Sequence, residues 1–103
     1  MEIDDYIYFI GVSNIPIYGY IIKFEDDDTF TYVRDSLTVW NASKKILESG
    51  HKINPENFME QVKSNAIYNN YHPPTIDQIK QVLEIYKKDP NTKVENVKHI
   101  LNY

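Results

Sequence analysis

At 103 residues, with 42% hydrophobic and 14% aromatic side chains, the chain is sized for one domain (residues 1–103) around one core. It has no cysteine, which excludes disulfides, thiolate nucleophiles and cysteine-built zinc sites; no apolar run is long enough to span a bilayer, and the acidic first residues differ from the basic start of a signal peptide. The net charge of −4 is uneven, with two basic side chains against eight carboxylates in residues 1–36 and nine lysines against seven carboxylates thereafter, so a polyanion meets repulsion on one part and little attraction on the other.

The chain opens on strand signals. Tyr6 to Val12 is a nearly continuous apolar run, and Ser13 to Pro16 reads as a turn, since proline cannot donate to a central ladder. Tyr20, Ile22 and Phe24 then alternate with Ile21, Lys23 and Glu25, and Phe30 and Tyr32 alternate with Thr29, Thr31 and Val33. This period of two predicts strands with one buried face. Asp26, Asp27 and Asp28 lie between the two runs, where solvated carboxylates suit a hairpin tip.

From Leu37 the period reads as helical. Val39, Trp40, Ile46 and Leu47 would share one face of a first helix, capped by Thr38 or Asn41 and stopped by a left-handed Gly50. Trp40 is the expected buried anchor of that helix on the sheet. A second helix starts at Asn54 and Pro55, with Phe58, Met59, Val62 and Ala66 as its stripe. The link between them, Gly50 to Ile53, is short and contains glycine, as a helix-turn-helix pair requires. Residues 65–74 read as an irregular connection. Thr75 and Gln78 are spaced as a capping box before Ile76, Ile79, Val82, Leu83 and Tyr86, and Thr92 and Glu95 repeat that spacing before Val94, Val97, Ile100 and Leu101. The expected fold class is therefore α+β: an N-terminal three-stranded antiparallel sheet packed on four helices, the first two a helix-turn-helix-like pair.

Few residues suggest chemistry. His51, His72 and His99 fall in different elements without metal-ligand spacing, and the three hairpin aspartates lack the glycine and distal glutamate of an EF-hand loop. With glycine only at positions 11, 19 and 50, no phosphate-binding loop or nucleophile elbow is present. No catalytic residue, metal, cofactor or small-molecule substrate is expected. The candidate nucleic-acid or partner surface is Lys44, Lys45, His51, Lys52, Asn57, Gln61 and Lys63, where Asn57 and Gln61 have the chemistry to read adenine edges.

The stretch YVRDSLTVWNASKKILESG, residues 32–50, resembles the core of APSES and KilA-N DNA-binding domains. In that family a strand ending in basic residues runs into a WVNAT-like step and then a helix-turn-helix. Residues 55–67, 68–74 and 75–88 fall in the order of that family's second helix, wing and packing helix. The resemblance implies Ile46, Leu47, Phe58 and Val62 as the helix–helix seam. Departures occur at the DNA-reading positions: the second helix carries Glu56 and Glu60, and the wing, YNNYHPP, has no lysine or arginine. The chain thus resembles a degenerate member, for which the resemblance implies association with another protein in a nuclear transcription or chromatin complex, with weak or no DNA binding. A sequence-specific DNA-binding domain is the alternative. A second resemblance, of residues 7–18 and 31–42 to the opening of longin-type and sedlin-type domains, implies a trafficking adaptor, although those return to strands where this chain stays helical. Residues 6–11 and 17–20, YIYFIG then IYGY, also resemble the paired strands of GIY-YIG nucleases, but an acidic hairpin stands where their arginine-bearing helix follows.

Overall fold

A computed structural model describes all 103 residues. Five strands, β1 (Tyr6–Ile10), β2 (Pro16–Phe24), β3 (Thr29–Arg34), β4 (Val39–Ser43) and β5 (His51–Lys52), form one sheet in the order β4-β3-β2-β1-β5. All neighbours are antiparallel. Three α-helices follow, α1 (Pro55–Tyr68), α2 (Ile76–Lys88) and α3 (Val94–Leu101), and a six-residue 3-10 segment spans Lys44–Ser49. The α+β class stands. No helix is long and apolar enough to cross a membrane.

The sheet is two strands wider than the sequence predicts, and the expected first helix is reduced to the 3-10 segment Lys44–Ser49, its first half having become β4. Val39 to Ser43 pairs with β3 along its whole length, placing Val39 opposite Val33, Trp40 opposite Tyr32 and Ala42 opposite Phe30. The apolar spacing that suggested a helix is short, and a short run does not distinguish the periods of 3.6 and 2. A tight hairpin decides between them: Leu37 N–H donates to Arg34 O, Arg34 N–H donates to Thr38 O, and Leu37 takes the left-handed conformation at φ 59°. The remaining residues 44–49 are too few to nucleate a stable α-helix and close as 3-10 turns. There is accordingly no helix-turn-helix pair. Gly50 is extended rather than left-handed; glycine is needed there because a Cβ would lie 2.9 Å from the carbonyl oxygen of Tyr8.

Alternation along the strands gives the sheet two apolar faces. On one, Tyr20, Ile22 and Val33 pack with Phe58, Met59 and Val62 of α1 and with α2 and α3 in a cluster of thirteen buried residues. On the other, Ile7, Phe9, Ile17, Ile21, Phe30 and Tyr32 form a cluster of six, covered in part by Ile46 and Leu47. Each fully buried aliphatic or aromatic side chain contributes roughly 1.5–3 kcal/mol, so most of the hydrophobic stabilisation lies on the helical face. The implied seam of Ile46 and Leu47 with Phe58 and Val62 does not form, since these pairs lie on opposite sides of the sheet.

The helix ends follow sequence logic at two of three starts. Asn54 accepts from Asn57 N–H, and Thr75 and Gln78 form the reciprocal capping box. The expected second box does not form, because α3 begins one residue late with Lys93 at its cap, and the Thr92 hydroxyl donates to Asp89 O instead. The N-terminus is tied to α2 by Asp4, whose Oδ1 accepts from Tyr20 Oη and Lys87 Nζ, both at 2.6 Å.

Candidate functional site

The sequence-derived surface residues do not converge. Lys44 and Lys45 begin the 3-10 segment beside β4, where Asp28 and Glu48 border the same shallow depression, and Lys44 Nζ lies 5.5 Å from the centroid of Phe24. His51 and Lys52 form β5 on the opposite edge, roughly 19 Å away at ~4.8 Å per strand. There Lys52 Nζ is 3.4 Å from Asp5 Oδ2, and the His51 ring is 5.1 Å from that of Tyr8. Asn57 and Gln61 are one helical turn apart on α1, but Asn57 N–H is engaged by the cap. Lys63 borders a depression with Glu56 and Glu60. Each of these four lysines has a carboxylate close by, and the seven residues do not join into one positive patch.

A different site is built on the face of the sheet opposite the α-helices. Its floor comes from alternate residues of adjacent strands: Phe9 of β1, Ile17 of β2 and Tyr32 of β3, with the Phe9 and Tyr32 rings edge to face at 5.5 Å. One wall is the turn after β1, where the strained left-handed backbone of Ser13 and Asn14 holds Val12 and Ile15 outward. Trp40, Ala42 and Ile46 form the other. The groove encloses about 550 Å³, within the ~300–1,000 Å³ common for ligand sites. Val12 is 86% exposed and Ile15 and Trp40 are each 48% exposed, which joins the groove to an open apolar rim.

Trp40 is thus not the buried anchor that the sequence predicts. Its strand turns the ring to the thinly covered face, where Nε1 donates to Thr38 Oγ1 at 2.8 Å and the Arg34 guanidinium sits 5.3 Å from the ring centroid. Arg34 is the only charged side chain lining the groove. Its Nε lies 3.8 Å from Asp35 Oδ1, beyond hydrogen-bond reach, and no protein acceptor bonds to its guanidinium. Burial pushes the Asp35 carboxyl above the usual carboxylate range, partly opposed by Arg34. Tyr32 is 3% exposed and its hydroxyl has no hydrogen-bond partner; since no fully enclosed side-chain polar atom lacks one, that hydroxyl touches solvent. Burial raises its pKa as well.

The lining residues of the groove include no carboxylate, imidazole or amine. They offer apolar contact, an exposed indole, one guanidinium and one phenol. No protein-family model matches the chain, and no curated protein or solved structure matches it either. Sequence reasoning missed the groove because its residues lie far apart along the chain. The available signals were Val12 and Ile15, two apolar residues inside a turn, and the period-two placement of Trp40 and Ala42.

Proposed function

We propose that this chain is a non-enzymatic association module that binds another protein through the apolar groove between Trp40 and the Val12–Ile15 turn, and that it binds DNA weakly or not at all. The observation that carries this reading is the groove itself, with its half-exposed tryptophan and isoleucine and nearly bare valine beside an open sheet edge. Aromatic anchors in a groove are the usual source of interface energy. The scattered, carboxylate-flanked lysines support the second half, since phosphate contacts require clustered cations. An intracellular setting suits a cysteine-free chain. A nuclear transcription or chromatin complex is part of the proposal on the APSES and KilA-N resemblance alone, without a helix-turn-helix surface.

The test compares the folded chain with Val12→Asp and Ile15→Asp variants. A protein enriched by the parent chain, lost with both variants and rebinding when purified supports the reading. Fluorescence anisotropy with duplex DNA should give dissociation constants no tighter than ~10⁻⁶ M at physiological salt. Nanomolar binding to one DNA sequence would overturn it.

A further inference from the structure

The groove has an apolar body and one cationic end, and both of its free polar groups come from β3. Tyr32 and Arg34 are two residues apart on the same strand face and both line the groove, the Tyr32 ring leaning over Gly19 towards Phe9 and the Arg34 guanidinium lying over Trp40. The guanidinium lies 5.3 Å from the Trp40 ring centroid and its Nε 3.8 Å from the Asp35 carboxylate, an ion pair without a hydrogen bond that leaves its N–H donors for a closer acceptor. The planar fork of N–H donors on Arg34 matches a carboxylate, which accepts from two of them at once. In a chain of net charge −4, a groove lined by one cation and no anion is locally selective for a negative group.

The edge beside the groove favours a chain segment over a free acid. Thr38 O accepts from Arg34 N–H of β3 and Lys44 N–H donates to Asp28 O just before it, both inward, and antiparallel pairing alternates. The backbone groups of Val39, Asn41 and Ser43 therefore face outward with no further strand. This edge carries no proline, bulge or charge to discourage pairing. A free molecule in so open a groove would leave much of its surface wet, whereas an extended segment can continue past Trp40 along the β4 edge.

Resting on the association reading above, we infer that the partner presents an extended segment in which an apolar side chain fills the groove and a neighbouring aspartate or glutamate carboxylate meets Arg34. Trp40 is the only tryptophan, so its fluorescence reports occupancy of the groove directly. The experiment pans a displayed library of random twelve-residue peptides on the intact chain and titrates the selected peptides by Trp40 fluorescence. Each is compared with a twin in which the acidic residue is changed to its amide.

The expected result is enrichment of an apolar residue within two positions of Asp or Glu, with affinity about tenfold weaker for the amide twin, the size of one partly screened charged hydrogen bond. Arg34→Gln, checked for folding by circular dichroism, should bind both twins alike. Apolar peptides that perturb Trp40 with no preference for the acid would overturn this inference and leave the association reading standing. Selection of no peptide that perturbs Trp40 would overturn both. Binding of 4-phenylbutyrate as tightly as the best peptide would reassign the groove to a small carboxylic acid.

Discussion

The hydroxyl of Tyr86 donates to the carbonyl oxygen of Leu37 across 3.0 Å, joining α2 to the β3–β4 hairpin in the buried interior. This bond holds the turn that converts the next five residues into β4. Tyr86→Phe leaves a buried carbonyl without its partner and should cost about 1–3 kcal/mol. A lowered urea midpoint with unchanged slope is the expected outcome. An unchanged midpoint would show that water replaces the hydroxyl.

Trp40→Ala should be far milder than the loss of a core aromatic. The ring is 48% exposed, and its contacts are a hydrogen bond to Thr38 and the stacked Arg34 guanidinium. A loss of about 1 kcal/mol is expected, against ~3–5 kcal/mol for a fully buried aromatic. Thermal unfolding separates these values easily. The same variant should abolish partner binding while staying folded.

Gly19→Ala should disturb the groove floor. A Cβ at Gly19 would lie 2.8 Å from Cδ2 of Tyr32, whose ring is packed against Phe9 and Phe30 and has little room to move. Overpacking of this kind costs about 1–3 kcal/mol. The expected signature is a lowered melting temperature together with an altered Trp40 emission maximum, because Tyr32 faces Trp40 across the β3–β4 pair.

Two carboxylates give stability opposite pH dependences. Lys87 and Tyr20 hydrogen bonds hold Asp4 below its usual value, so its contribution is full above the ordinary carboxylate pKa and is lost as acid protonates the folded state. Burial raises Asp35, so its protonation favours the fold, and that contribution falls away as pH rises through its elevated folded value. Asp35→Asn should therefore melt higher at pH 7, with the difference from the parent vanishing by about pH 4. Lys87→Met should lose part of the steep decline below pH 4. Melting curves from pH 3 to 7 provide the check.

Most of the regular structure was legible in the sequence. Alternation marked β2 and β3, Asn54–Pro55 and Thr75/Gln78 marked two helix starts, and the stripes of α1 and α2 are buried as expected except for Ile76, which is 45% exposed at the start of α2. What escaped was decided by long-range pairing. Val39 to Ser43 has no strong local preference, and its partner strand overrides the weak helical spacing. His51 and Lys52 become a strand only because β1 offers an open edge. The groove was less visible still, since Phe9, Tyr32, Trp40 and Ile46 share it only after the five-strand order is established.

The Lys44–Ser49 segment leaves the β4 edge and ends at β5 beside β1, so it works as a strap drawn across the sheet from rim to rim. One short strap covers one side, while three helices cover the other. The two sides should not open together. Lifting the strap would bare Phe9 and Phe30 while the cluster around Ile79 and Val82 stays closed, a partial opening well below the free energy of global unfolding. Amide protons of Ile46 to Gly50 should then exchange orders of magnitude faster than those of Ile79 to Tyr86. Ser43 and Ile46, at the start of the strap, both line the groove, so an occupant gripping Trp40 and Ile46 would latch the strap shut and slow its exchange.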